Sequence, residues 1–443
     1  LEELFVTNIL KFHIQFPKFS QNYEANLSSG LHLIFGESGV GKSTFFRKLC
    51  GIYTDTGNFD LKINEKPNHT IPVFQNPENQ IVSSTLDGEL AFSPECIFSD
   101  PSKVTNFVDG IKNKLDFIDD GTRHPVTLSG GEKELLNLAT ALSVKPGLIV
   151  IDDGLSFLNS KAKKDQVKRL DNYIKDTGSI ILWLTSDISD LKFGDSVWEL
   201  TLDSFTEITK SKSMPKYQRN NYPAGNLRLI IDHLTYFYDH RRTILNDLSI
   251  EILETRCFGI IGANGSGKTT IAGIFSGILP DYLGEFQLEI DGESPRIGYL
   301  NQFPEKMLGT VTLGEFLHDL QHFGKLNPLV VNQALNMMND YQINWNIIEH
   351  KPAIDVQWTA LRLAMIILLG CSNYELIILD EPTFGLGWRQ KQTLARFINK
   401  ILNKKHCIII SHDEQFIHSM CDKVLELDTK SIIQNPDLIR VQR

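Results

Sequence analysis

The sequence has no apolar run long enough to cross a bilayer, which takes roughly 18 residues. Its best, "AMIILLG" at Ala364–Gly370, falls far short. No signal peptide stands at the start, so any membrane role must come through a partner. The opening residue is Leu1 rather than Met, as expected of a trimmed N-terminus. Basic residues are outnumbered, with 44 Lys and Arg against 54 Asp and Glu and a net charge of −10. This balance argues against nucleic-acid binding, which calls for a basic face. The six cysteines (Cys50, Cys96, Cys257, Cys371, Cys407, Cys421) form no CxxC pair. They read as reduced, mostly packed thiols of a cytosolic protein, not as a metal site or a disulfide framework. An apolar fraction of 42% and a charged fraction of 22% are ordinary for a soluble globular chain. One further scarcity stands out: "LSGGE" occurs once, at Leu128–Glu132, although the chain has two glycine-rich loops.

Those loops are "GESGVGKST" at Gly36–Thr44 and "GANGSGKTT" at Gly262–Thr270, 226 residues apart (262 − 36). Gln75 in "VFQNPENQ" and Gln302 in "YLNQFPEK" lie 227 apart (302 − 75). Asp152 and Asp380, ending "LIVID" and "LIILD", lie 228 apart (380 − 152), and Ser186 and His412 lie 226 apart (412 − 186). A fixed offset across four landmarks marks a tandem duplication. The join is "TKSKSMPKYQRNNYPAGN", Thr209–Asn226, with Pro, Gly, Asn and basic residues but no acid, which reads as an exposed linker. The domains are therefore expected at 1–208 and 227–443. Each half alternates apolar strand-like runs with helical stretches, so the class is α/β with a largely parallel sheet.

A glycine-rich turn between strand and helix points consecutive backbone N–H groups at phosphate, and the helix dipole adds to this. The phosphate cradles are then Gly36, Ser38, Gly39, Val40, Gly41, Lys42, Ser43 and Thr44 in the first half. In the second half they are Gly262, Asn264, Gly265, Ser266, Gly267, Lys268, Thr269 and Thr270. Lys42 and Lys268 should reach the β- and γ-phosphates, while Ser43 and Thr269 place hydroxyls on Mg²⁺. Asp152 and Asp380, each closing a buried strand, are metal-side acids, acting directly or through water. Glu381 follows Asp380 and is placed to polarise an attacking water; Asp153, its counterpart, is one methylene shorter. His412 can contact the γ-phosphate, which Ser186 cannot do at that reach.

Together these residues resemble the ATP-binding cassette family: Walker A, a Q-loop glutamine, LSGGE, Walker B and a switch histidine, in that order, a resemblance that covers both halves although LSGGE stands only in the first and the histidine only in the second. The resemblance implies two tandem nucleotide-binding domains binding ATP and Mg²⁺, each with a mainly parallel core, a small antiparallel β part and a helical subdomain. It also places Gln75 and Gln302 at the metal, and an adenine-stacking aromatic near Tyr238 and near Phe16. "VFQNPENQIVSSTLDGELAF" (Val73–Phe92) and "LNQFPEKMLGTVTLGEFL" (Leu300–Leu317) are similar to the paired motor subunits of energy-coupling-factor importers, here fused in one chain. The implied partners are a transmembrane coupling subunit and a substrate-binding membrane subunit, met at the cytoplasmic face of a bacterial membrane. Docking would use Gln75–Phe92 and Gln302–Leu317, with Glu89 a residue whose charge reversal should weaken assembly. Vitamin, cobalt, nickel or haem-like cargo all stay open. Only 31 residues follow His412 (443 − 412), so the C-terminal dimerisation extension of many relatives is short or absent; the linker offsets this by raising effective concentration.

In that family the cassettes close head to tail, each ATP lying between one Walker A and the other signature. Ser129, Gly130, Gly131 and Glu132 of the single LSGGE then complete the site of Lys268, Gln302, Asp380, Glu381 and His412. Counting back 24 residues from Asp380 reaches Val356, so Gln357, Trp358 and Thr359 replace Ser129, Gly130 and Gly131. That altered signature would face the first loop, with Gln75, Asp152, Asp153 and Ser186. Every defect falls in one composite site, so one site hydrolyses and the other mainly holds nucleotide; Trp358→Ala should change turnover little. The alternative reading is a soluble tandem-cassette ATPase acting on ribosomes. Its relatives carry a long charged helical arm between cassettes and a basic surface, whereas this linker is short and the charge acidic. A DNA-repair or scaffold role is a more distant alternative.

Overall fold

The computed structural model describes the chain except residues 1–7, 18–20, 53–57, 97–99, 114, 116, 119, 159, 210–216, 218, 220–221, 240–241, 264, 342 and 435–443. It divides into two compact units, Leu1–Met214 and Pro215–Arg443.

In the first unit the strands are β1 (Leu10–Gln15), β2 (Asn22–Leu27), β3 (Gly30–Phe35), β4 (Asp60–Glu65), β5 (Thr70–Val73), β6 (Leu148–Asp152), β7 (Ile180–Thr185), β8 (Ser196–Leu200) and β9 (Phe205–Glu207). A six-stranded sheet runs β5-β6-β7-β3-β8-β9, with only the β8–β9 pair antiparallel. A small antiparallel sheet runs β2-β1-β4. The helices are α1 (Lys42–Cys50), α2 (Leu86–Glu95), α3 (Pro101–Lys112), α4 (Gly130–Ser143) and α5 (Ser160–Thr177). Strands β3, β6 and β7 are buried at every residue, as continuous apolar runs require when both faces of a parallel sheet are covered. Their alternating residues feed two cores: Leu148 and Val150 join Phe45 and Phe205 on one face, while Ile149 and Ile151 join Leu138 and Trp183 on the other. Helices α2, α3 and α4 form a separate helical part around Leu86, Leu90, Val104, Val108 and Leu136.

The second unit repeats this plan. Its strands are β10 (Leu227–Asp239), β11 (Arg242–Thr255), β12 (Cys257–Ile261), β13 (Leu283–Ile290), β14 (Ile297–Leu300), β15 (Leu376–Asp380), β16 (His406–Ile410), β17 (Lys423–Glu426) and β18 (Ser431–Gln434). The main sheet runs β14-β15-β16-β12-β17-β18, the same order as in the first unit, and β11-β10-β13 is the antiparallel part. Its helices are α6 (Lys268–Phe275), α7 (Pro304–Leu308), α8 (Leu313–His322), α9 (Pro328–Asp340), α10 (Trp345–Ile348), α11 (Trp358–Cys371), α12 (Trp388–Leu402) and α13 (Glu414–Met420). The mixed α/β class expected from the repeat is what the chain adopts.

The segment expected to be an exposed linker is partly packed instead. Tyr217 is buried and meets Phe416 of α13 edge-on at 5.1 Å between ring centroids. Arg219 pairs with Asp422, and the Tyr222 hydroxyl donates to the Met420 carbonyl at 3.0 Å. Aromatic burial overrides the polar composition here, because Tyr carries apolar area that α13 can cover. No helix among the described residues is long and apolar enough to cross a membrane.

Candidate active site

In both units the glycine-rich loop, the acidic pair and the switch position all follow adjacent parallel strands at their C-terminal ends (β3, β6 and β7; β12, β15 and β16). Carboxyl ends of parallel strands are where α/β folds bind ligands. Gly39 and Gly41 have φ of 89° and 109°, and Gly265 and Gly267 have 78° and 97°, conformations that L side chains rarely adopt. A Cβ on Gly267 would also meet Leu245 at 2.6 Å. Lys42 curls over its own loop, donating to the Gly36 carbonyl at 2.7 Å; Lys268 does the same to Gly262 and Ala263, both at 2.9 Å. Both helices start at the lysine, so Ser43, Thr44, Thr269 and Thr270 occupy their first turns. Asn264 lies outside the described residues.

Asp380 is 1% exposed, and neither of its carboxylate oxygens has a hydrogen-bond partner. Burial, with the neighbouring Glu381 charge, pushes it up to about 7. Asp152 is likewise buried and raised to about 6, by burial and by Asp153, with Ser43, Lys42 and Arg47 pulling the other way. The Thr269 hydroxyl and the Lys268 and Arg362 charges pull Asp380 the other way without outweighing its burial, and a buried carboxylate so weakly held is costly unless a cation supplies the missing charge. The hard-oxygen donor set of Thr269 and Asp380 suits Mg²⁺, and a cradle of N–H groups with a lysine suits phosphate. The residues present therefore fit both groups. Gln75 and Gln302 are half-buried after β5 and β14.

The two units differ at the next residue. Asp153 and Glu381 both have φ of 51°, left-handed and uncommon outside glycine, and each N–H is held by the neighbouring strand's carbonyl (Leu184 and Ile410, both 2.8 Å). Glu381 accepts from Ser411 Oγ at 3.0 Å and from the His412 N–H at 3.1 Å, and its Oε2 lies 2.8 Å from His412 Nδ1. Burial pushes Glu381 up, but His412, Lys268 and Ser411 outweigh it, and its carboxyl lies below the usual range. It is thus ionised at neutral pH. Asp153 instead takes both the N–H (3.1 Å) and the hydroxyl (2.9 Å) of Ser186, closing a short loop with no imidazole.

The signature positions agree with the count from the acids. Gly130 and Trp358 each open a 14-residue helix. Ser129 and Glu132 form a reciprocal capping box, at 3.3 and 2.8 Å, so the "SGGE" spacing also caps α4; Gln357 caps nothing.

Two residue readings change and one lies outside the described side chains. Phe16 is 1% exposed and wedged between Tyr23 and Phe59, so its ring belongs to the core and is not free to stack on adenine. The side chain of Tyr238 lies outside the described residues. Glu89 is 4% exposed, and its carboxylate accepts from the Val82 and Ser83 N–H groups at 2.9 and 2.8 Å. It braces its own segment and presents no charge to a partner. Val82 (63% exposed) and Phe92 (52%) are the large apolar residues that face outward there.

Sequence reasoning missed Arg362. It is 1% exposed in α11, with its guanidinium donating to the carbonyls of Glu381 (2.5 Å), Phe384 (3.1 Å) and Gln302. Burial pulls it down to about 10, so it stays charged. The available signal was a lone Arg inside the apolar run "TALRLAMIILLG".

The family model described as "ABC transporter" matches twice, over residues 21–156 and 245–384. A Streptococcus pneumoniae protein named as an ABC transporter ATP-binding protein is 26% identical, over 92% of this chain and 87% of its own. A Bacillus subtilis protein named for HMP/thiamine import is 23% identical, over 89% and 84%. Among solved structures, a complex titled as ribosome-bound archaeal Pelota and ABCE1 aligns with TM-score 0.60 at 14% identity, over 93% of this chain and 79% of that one. One titled RNase-L Inhibitor aligns with TM-score 0.56 at 14% identity, over 90% and 83%. At such identity the structures share the fold.

Proposed function

We propose that this chain, which belongs to the ABC transporter family through both of its cassettes, is the ATP-hydrolysing motor of an importer of the energy-coupling-factor kind. Its membrane subunits are separate chains, and one of its two composite ATP sites turns over. The observation that carries this reading is the contrast of Glu381, ionised and paired with His412, against Asp153, closed on Ser186. Mg²⁺, which Thr269 and Asp380 would hold, would supply charge neutralisation to the phosphate when bound. Lys268 leaves the carbonyls of its own loop for the β- and γ-phosphates. Asp380 and Thr269 hold the metal side, and Glu381 accepts a hydrogen bond from the water aligned with the γ-phosphate. His412 holds that carboxylate and reaches the γ-phosphate. The LSGGE of the other cassette closes this site head to tail. Loss of a positioned base costs roughly 10²–10⁴-fold. Glu381→Gln should therefore trap ATP, while Asp153→Asn should cost under about tenfold. The test is ATPase rate and retained nucleotide for both variants in the assembled membrane complex; equal losses overturn the one-site reading.

An ATPase acting on ribosomes is the second reading, favoured by the tandem fold shared with the ribosome-bound structure. The sequence relatives named for transport and for HMP/thiamine import support the first. Fractionation separates them: a transport motor sediments with membranes and leaves them at high pH, whereas the alternative sediments with ribosomes.

A further inference from the structure

The altered signature of the second unit is not a decayed surface. Trp358, where the first unit has Gly130, turns its indole inward. Its Nε1–H donates to Glu305 at 3.0 Å, its ring stacks on Phe303 at 6.5 Å and meets Phe384 edge-on at 4.5 Å, and Arg362 lies 4.4 Å over its face. Arg362 then fastens three carbonyls: Gln302, Glu381 and Phe384. One cluster on the first turns of α11 thus joins the segment after β14 to the loop that carries the catalytic acid.

The first unit makes the same two joins with other residues. Lys133 of α4 donates to Glu78 at 2.6 Å, and Glu78 stands three residues after Gln75 as Glu305 stands three after Gln302. Glu134, 228 residues before Arg362 (362 − 134), accepts from the N–H groups of Leu155, Ser156 and Phe157, each at 3.1 Å, in the loop after Asp153. The polarity is inverted: a carboxylate holds N–H groups in one unit and a guanidinium holds carbonyls in the other. A feature built twice from different chemistry points to a use in both places.

We infer that Trp358 and Arg362 are positioning residues of the second unit, coupling its Q-loop segment to the backbone that aims Glu381. The inference rests on Glu381 being the acid of the working site. It replaces the expectation that Trp358 is dispensable for turnover. Arg362 binds the Glu381 carbonyl, so it sets where the left-handed residue hangs its carboxylate rather than touching nucleotide itself. A misplacement of about 1 Å in such a group costs roughly 10²-fold.

The test uses the full-length chain, with ATPase kinetics, ATP binding and tryptophan fluorescence. Arg362→Lys keeps the charge but cannot fork to three carbonyls. It should lower kcat by roughly 10- to 100-fold, with KM for ATP within about twofold. Trp358→Gly, which restores the residue of the intact signature, should lower kcat as well. Trp358→Phe keeps an aromatic ring there but removes the Glu305 hydrogen bond and shrinks the face under Arg362; it should show a smaller loss of kcat at unchanged KM. The ATP-induced fluorescence change of wild type should fall in Trp358→Phe, without vanishing, because Trp183, Trp198, Trp345 and Trp388 remain. A kcat within twofold of wild type for Arg362→Lys, or a gain of turnover in Trp358→Gly, overturns the inference. If Arg362→Lys does not fold, Trp358→Phe decides, and an unchanged kcat there overturns it equally. Failure of the functional reading looks different: Glu381→Gln would hydrolyse at the wild-type rate, while the fluorescence response still reports on the coupling.

Discussion

Replacing Asp380 with Asn should make the nucleotide-free protein more stable while abolishing its response to Mg²⁺ and ATP. The folded chain holds this carboxyl at about 7 against an ordinary 3.8. Such a rise corresponds to about 4 kcal/mol, at roughly 1.36 kcal/mol per pH unit. The sign follows from which state holds the proton. Below about pH 4 both states are protonated and nothing is lost; the cost grows as pH climbs and is complete above about 7. At pH 5 it is about 2 kcal/mol, so the rest of the penalty appears between pH 5 and 8. The replacing amide sits in the same buried place, where Thr269 is the donor at hand, and loses about 1–3 kcal/mol for unmet hydrogen bonds. The net gain at pH 8 is then about 2 kcal/mol, or roughly 4–8 °C in a unit of this size. Calorimetry in EDTA at pH 8 and pH 5 measures it, following the transition of the second unit. The upshift should shrink or vanish at pH 5, and Mg²⁺ with ATP should raise the Tm of wild type but not of the variant. A variant melting at or below wild type at pH 8 without metal would refute the assignment of Asp380 as a buried charge awaiting a cation.

Gly130→Asp should lower ATPase rate by roughly 10²-fold or more, although it lies in the unit with Asp153 and Ser186; wild-type turnover would refute head-to-tail closure. Val82→Ser with Phe92→Ser should weaken recovery of membrane subunits in pull-downs while leaving Tm and ATP binding unchanged. Glu89→Lys should instead lower the Tm of the first unit, because it strips the Val82 and Ser83 N–H groups of their acceptor; a normal Tm would show that this brace is unimportant. Tyr217→Ala should destabilise the second unit by about 2 kcal/mol through the lost packing on Phe416, read as a lower urea midpoint.

The sequence by itself determined the repeat, the α/β class, the place of both glycine-rich loops and the acids that close β6 and β15. Each of these rests on a local rule, such as a glycine at positive φ, a lysine beside it, or an apolar run ending in a carboxylate, and local rules survive without knowledge of the fold. The position of Trp358 was legible too, because counting from Asp380 needs only an equal helix length in both units. What Trp358 does was not. Arg362 is one turn away on the same helix, but the other partners of Trp358, Glu305 and Phe384, lie on two separate segments, which only packing brings together. Likewise Phe16 and Glu89 were assigned by position, but burial decided their use: a ring covered by Tyr23 and Phe59 has no face for a base, and a carboxylate holding two N–H groups cannot meet a partner. Tyr217 shows the same limit in reverse, since a polar stretch reads as exposed until a neighbouring helix offers its ring a place. Spacing fixes which residues stand near phosphate; tertiary structure fixes which of them are free to act, because burial and hydrogen-bond partners are properties of neighbours far away in the chain.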